Sequence, residues 1–179
     1  TVQSTQGNLN NHIGVPLTLL SIKDDTKFAI VEMGANHPGE IEFLCNIARP
    51  DYGIITNIGR AHLEGFGSFE GVINTKTELY KFIRENNGNI FVNEDDLLLI
   101  SLSKDQNRIL YGTKSLDATV VNDGNPYLRC HWSYNNEKYF TETKLTGCYN
   151  LPNLLAAIAI GLHFGADPKE LNRKLSEYT

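Results

Sequence analysis

Residues Phe28-Ala-Ile-Val-Glu-Met-Gly-Ala-Asn-His-Pro-Gly-Glu-Ile-Glu-Phe-Leu-Cys-Asn-Ile-Ala-Arg-Pro-Asp-Tyr-Gly-Ile-Ile-Thr-Asn57 read as strand, helix, strand. Phe28–Met33 is a nearly continuous apolar run, the pattern of a strand covered on both faces. Pro38-Gly39-Glu40 opens a helix whose Ile41, Phe43, Leu44 and Ile47 give a broad buried face, and Pro50 ends it. Tyr52–Asn57 is the next buried strand. Two such strands joined through a helix predict a parallel sheet with a right-handed crossover.

The rhythm continues on both sides. Asn/Gly-rich residues 7–14 and Pro16 precede an apolar helix, Leu17–Ile22. After Asn57 a Gly-rich loop, Gly65-Phe-Gly-Ser68, leads into a helix from about Phe69 to Arg84, with Val72, Ile73, Leu79, Tyr80 and Ile83 at helical spacing. Asn86-Asn-Gly88 stops it. Asn89–Asn93 is a third strand, Asp95–Ser103 a short helix and Arg108–Gly112 a fourth strand. Between Asp117 and Leu145 short alternating segments (118–121, 127–134, 138–145) joined by Asn-Asp-Gly and Asn-Asn turns predict antiparallel hairpins. Leu151–Leu162 is an apolar helix with Pro152 in its first turn, and Asp167 caps a last helix. The fold class is α/β: a mostly parallel open sheet with flanking helices and a small antiparallel hairpin annex, read as one domain over residues 1–179.

The composition, 41% hydrophobic and 21% charged over 179 residues, is that of an ordinary globular domain with a real core. A net charge of −5 and no Lys/Arg run argue against a nucleic-acid footprint. Cys45, Cys130 and Cys148 form no CxxC pair and read as reduced thiols. No apolar run approaches the roughly 20 residues of a membrane span, and no secretory signal is visible, so the cytoplasm is the expected compartment. Thr1 begins in mid-flow, and the chain reads as a segment cut from a longer protein.

Chemistry gathers beyond the carboxyl ends of the predicted strands, where open α/β sheets build their sites. Glu32 ends the first strand; alone, it could be a solvated strand-end carboxylate. His62 follows the second strand, and could be a plain loop histidine. Lys76 sits in the helix after the Gly-rich loop, where an exposed lysine is the bland alternative. Together, Glu32 and a neutral His62 could hold Mg²⁺ beside transferring phosphates. A buried Lys76 could lose its proton and capture carbon dioxide, giving an anionic carbamate donor. Asn11 and neighbouring amides could hold phosphate or carboxylate oxygens at a helix start, or simply make a capped turn. Asn150 and Asn153 offer donor–acceptor pairs suited to a base edge such as adenine, or N-caps.

Taken together and in this order, these blocks resemble the central ATPase domain of the Mur ligases. The matching text is Thr5-Gln-Gly-Asn-Leu-Asn-Asn-His-Ile-Gly-Val-Pro-Leu-Thr-Leu-Leu20, Glu32-Met-Gly-Ala-Asn-His-Pro-Gly-Glu-Ile41, Thr56-Asn-Ile58, Ala61-His-Leu-Glu-Gly-Phe-Gly-Ser68, Lys76 and Gly147-x-Tyr-Asn-x-x-Asn153. The similarity runs over most of the chain and is weakest over 113–144. Within the family it points to the branch that joins D-alanyl-D-alanine to UDP-N-acetylmuramoyl-tripeptide in peptidoglycan precursor synthesis.

The resemblance implies ATP and Mg²⁺ as cofactors, with Glu32 and His62 as metal ligands and Lys76 carbamylated to help hold a second metal. It implies that Asn150 contacts adenine while Asn153 supports the turn, and that Asn11 or its neighbours lie near the phosphates. His12 receives no role, and Tyr149 replaces the commoner histidine before the adenine asparagine. A monomer is expected. The family's Gly-x-x-Gly-Lys-Thr phosphate loop occurs nowhere in the chain, and the flanking domains are expected to be absent too. The isolated chain is therefore expected to be inactive, with weak or no ATP binding. Two alternatives stay open: another Mur-type or folylpolyglutamate-synthetase-like ligase, and a non-catalytic scaffold with the same fold.

Overall fold

The computed structural model describes residues 1–59 and 63–178, and for Leu63 and Glu64 the backbone only. The chain divides into two compact units. The first comprises Thr1–Ile90 with Asp105–Asn107, the second Phe91–Lys104 with Arg108 onward. The boundary runs through a strand, not along a linker.

The first unit begins with β1 (Val2–Ser4), α1 (Gly14–Leu20) and β2 (Phe28–Ile30). β1 and β2 pair in parallel, Val2 opposite Phe28 and Ser4 opposite Ile30. The Gln3 side chain fastens the return from α1: its amide donates to Ser21 O at 2.9 Å, and its carbonyl accepts from Lys23 N at 2.7 Å. β2 departs from the expected strand. It is three residues long and exposed throughout, with Phe28 40% and Ile30 58% exposed. The apolar run is expected to be covered on both faces, but its ladder partner among the described residues is β1 alone, a strand whose Val2 and Ser4 are themselves exposed.

Next come α2 (Glu40–Ala48), β3 (Tyr52–Ile54), α3 (Leu63–Phe66) and α4 (Phe69–Glu85). In α2 the buried face is Ile41, Leu44 and Cys45, whereas Phe43 is 53% exposed. Residues 41, 44 and 45 lie on one face at spacings of three and four, and 43 is turned away from it. In α4 the Ser68 hydroxyl accepts from Gly71 N at 3.0 Å, an N-cap contributing about 1 kcal/mol. Its inner face carries Val72, Thr75, Tyr80, Phe82 and Ile83. Ile41, Cys45 and Phe82 form a core on which Met33, Ala35 and Leu79 pack, locking α2 to α4 beneath the segment that follows Glu32.

β4 (Asn89–Asn93) lies between β3 and β5 (Arg108–Tyr111) in a three-stranded sheet. Ile90 N donates to Asn107 O and Glu94 N to Tyr111 O. The two partners advance together along both strands, so the pair is parallel, as the βαβ pattern predicts. Ile90, Phe91 and Val92 are all buried, the pattern of a central strand. Between β4 and β5, α5 (Leu97–Leu102) is capped by Asp96, whose carboxylate accepts from Leu98 N and Leu99 N.

The second unit also carries the antiparallel sheet β6 (Thr119–Val120), β7 (Tyr127–Tyr134) and β8 (Glu137–Thr146). The β7–β8 turn is Asn135-Asn136, both with positive φ, 51° and 65°. A two-residue hairpin demands that conformation, and asparagine tolerates it. Trp132 is wholly buried, and its indole N–H donates to Thr141 Oγ1 at 2.8 Å. Thr141 in turn donates to Asn172 Oδ1 at 2.5 Å, while Asn172 Nδ2 donates to Phe140 O at 3.1 Å. This chain of bonds moors α7 (Pro168–Glu177) to the hairpin. A 3-10 turn (Cys148–Asn150) leads into α6 (Leu151–His163), which buries Leu154, Leu155, Ala156 and Ile158. Asp167 caps α7 through Lys169 N and Glu170 N, as its sequence predicts.

Candidate functional site

Glu32 stands two residues past β2, exposed, with its backbone N–H donated to Thr5 Oγ1 at 2.9 Å. Its Oε1 accepts from Asn10 Nδ2 at 2.7 Å. Asn10 also accepts Gly34 N through its backbone carbonyl at 2.7 Å, so one residue grips the Glu32 segment at two points. The approach is close: a Cβ on Gly34 would lie 3.0 Å from the Asn10 carboxamide, which would have to give by a few tenths of an ångström. The carboxylate is thus oriented through one oxygen. Oε2 accepts no hydrogen bond among the described residues and is open to a ligand.

Asn11 is used differently. Its Oδ1 accepts from Ile13 N at 3.0 Å and Gly14 N at 2.9 Å, closing the turn into α1. Both acceptor positions are then committed, and the N–H₂ donors remain for an anion. The amide that reaches Glu32 is therefore Asn10, a residue the sequence reading covered only as a neighbour of Asn11.

Lys76 lies on α4, half-buried, and its Nζ donates to Asn57 O beyond β3 at 2.7 Å. Burial lowers its pKa below the ordinary lysine value. Lys76 and Glu32 belong to the same unit. His62, the third expected member, lies outside the described residues.

Asn150 and Asn153 belong to the second unit. Asn150 Nδ2 donates to Thr146 O at 2.9 Å, and its Oδ1 accepts from Asn153 Nδ2 at 3.4 Å. Neither side chain caps α6. One N–H and one acceptor lone pair of Asn150 stay unused within this arrangement, the complement of an adenine edge. Next to them Tyr149 is 77% exposed.

The donor set can be tested for a divalent cation. Among the described residues no group of three His, Cys, Asp or Glu side chains comes together, so no all-protein cage exists there. Glu32 supplies one oriented carboxylate. Mg²⁺ is ordinarily held by one or two carboxylates, waters and substrate phosphates, and that donor set suits it. Lys76 as an ammonium would repel the ion, whereas its lowered pKa favours the neutral amine from which a carbamate forms. Glu32 fits such a site as one carboxylate ligand, the rest of the shell coming from substrate and water.

Comparison with known proteins bears on the whole chain. Residues 1–161 match the Mur ligase middle domain. The UDP-N-acetylmuramoyl-tripeptide–D-alanyl-D-alanine ligase of Bacillus subtilis is 34% identical over 175 residues, 98% of this chain and 38% of that protein. The enzyme of the same name from Escherichia coli is 34% identical over 176 residues, 90% of this chain and 37% of its own length. The chain thus spans little more than a third of the curated relatives it matches. Among solved structures, MurF from Acinetobacter baumannii superposes with a TM-score of 0.85 at 27% identity, covering 99% of this chain and 40% of that one. MurF from Thermotoga maritima, solved in complex with ADP, gives 0.80 at 26% identity over all of this chain and 42% of that one. No helix among the described residues is long and apolar enough to cross a membrane. The parallel strands, the flanking helices, the antiparallel sheet and the match over nine-tenths of the sequence agree: this chain belongs to the Mur ligase family, as its middle domain.

Proposed function

We propose that the full-length protein carrying this chain joins D-alanyl-D-alanine to UDP-N-acetylmuramoyl-tripeptide in the cytoplasm, with ATP converted to ADP and phosphate. The observation that carries this reading is that relatives aligned over nearly the whole chain bear that one activity name. The terminal carboxylate of the tripeptide attacks the γ-phosphorus and expels ADP, giving an acyl phosphate. The dipeptide amine then adds to the acyl carbon, and the tetrahedral adduct loses phosphate and a proton to leave the amide. Such chemistry depends on positioning and on neutralising charge.

In this reading Asn10 holds the Glu32 carboxylate with one oxygen turned outward for Mg²⁺. Lys76, half-buried and with its pKa lowered by burial, carries the carbamate. His62 completes the ligand set, the Asn11 N–H₂ group faces phosphate or acyl oxygens, and Asn150, braced by Asn153, reads adenine. A bound Mg²⁺ would supply charge neutralisation to the reacting phosphates. The protein works as a monomer.

The test is ADP release by the full-length protein with UDP-N-acetylmuramoyl-tripeptide and ATP. Release that requires D-alanyl-D-alanine, and is not supported by glutamate or diaminopimelate, is the expected result. Release with either amino acid instead would assign the protein to another branch of the family. No release with any acceptor would favour a scaffold.

A further inference from the structure

α2 opens without a cap of its own. Its N-cap position is Gly39, at φ 86°, where any side chain would be strained. The amino-terminal N–H groups of a helix need acceptors from somewhere. They come from α4: Glu78 Oε1 accepts Gly39 N at 2.8 Å and Oε2 accepts Glu42 N at 2.9 Å. Both oxygens of one carboxylate are spent on another helix, and such charge-assisted bonds are the strong ones.

The segment between Glu32 and α2 is held along its length as well. Asn10 takes Gly34 N, and Glu40 Oε2 takes Asn36 N at 2.7 Å and His37 N at 3.1 Å. Gly65 of α3 lies so close that a Cβ there would be 2.3 Å from Asn36 O. Glu78 is the link in this set that comes from α4, two residues after Lys76. A second α2–α4 link, Lys81 to Glu42 at 3.1 Å, joins two exposed side chains and contributes little.

We infer that Glu78 is a positioning residue for the cation site: by strapping the start of α2 to α4, it fixes Lys76 relative to the segment that carries Glu32. The inference rests on the proposed reading of Glu32 and Lys76.

The experiment uses the full-length protein with Mn²⁺ as the probe, its affinity in the presence of ADP measured by electron paramagnetic resonance. Hydrogen exchange over residues 33–45 is followed in parallel. Glu78→Ala should speed exchange at the α2 amino end and weaken Mn²⁺ binding by about ten-fold, the equivalent of one charge-assisted bond at the weak end of the range. Glu78→Gln, which keeps the length and one good acceptor, should fall between and covers the case of an unfolded Ala variant. Lys81→Ala should change neither readout. Faster exchange with unchanged Mn²⁺ affinity would make Glu78 a helix cap and nothing more, and unchanged exchange would remove the strap itself. Glu32→Gln and Lys76→Ala separate the two levels. If both weaken Mn²⁺ and Glu78→Ala does not, only this inference fails; if neither does, the reading beneath it fails too.

Discussion

Gly14→Ala should be far more damaging than a single added methyl group suggests. Gly14 is buried at the start of α1, and a Cβ there would lie 2.3, 2.4 and 2.5 Å from Leu9 C, Cα and O. All three are backbone atoms, so no rotamer change relieves the clash. Restoring ordinary contact requires the Leu9 backbone to move by about 1 Å, an overpacking cost of about 1–3 kcal/mol. Asn10 is next in the chain and moves with it. Its two bonds, Nδ2 to Glu32 and its carbonyl to Gly34 N, both 2.7 Å, would be stretched beyond hydrogen-bonding range. Their loss adds about 2–4 kcal/mol, the larger part from the charge-assisted bond. Better helix propensity and a stiffer unfolded chain return about 1 kcal/mol. The net expectation is a destabilisation of about 2–6 kcal/mol, read from urea unfolding midpoints. Because Asn10 transmits part of the effect, Gly14→Ala should cost less in an Asn10→Ala background. A loss below about 1 kcal/mol, or full additivity with Asn10→Ala, would refute the reasoning.

Burial depresses the Lys76 pKa, so between that value and the ordinary 10.5 the unfolded chain binds more protons than the folded one. Stability therefore gains a positive slope with pH across that window, and Lys76→Met should remove the slope, narrowing its stability advantage as pH rises toward 10.5; a widening advantage would contradict this. With a thiol reagent at pH 8, Cys148, which is exposed, should react at once. Cys45 and Cys130 are buried, with pKa values pushed up to about 12 and about 11 by burial, and should react only on unfolding. A second fast thiol would show that one of these cores is open.

Local signals were the legible ones. Asp167, read as a cap, starts its helix by short-range bonds to Lys169 N and Glu170 N, and such bonds are written in the sequence around it. The same holds for Asn89–Asn93, whose apolar run is as buried as it looks. β2 misleads because burial depends on which neighbours a strand finds, and Phe28–Ile30 looks no different from Ile90–Val92 in composition. β1 is too short to show a period.

At the candidate site, Glu32, Lys76 and Asn150 stand out by residue type and by their place beyond strands or before a helix. The amide chosen from the Asn10-Asn11 pair does not, because a turn of one residue decides which side chain faces Glu32. Glu78 was equally hidden. It reads as an ordinary helix glutamate, and its role depends on α2 arriving beside it from 36 residues away in sequence.

Met33 follows Glu32 directly, packs on the Ile41–Cys45–Phe82 core, and is the single methionine in this sequence. A ¹³C-methyl label on methionine would therefore place one resonance from this chain directly beneath the candidate site. Its shift would report any movement of the Glu32 segment with nucleotide or cation present, without a mutation and without turnover. Trp132, the single tryptophan, offers the matching fluorescent reporter in the other unit. The two units can thus be watched separately in one sample.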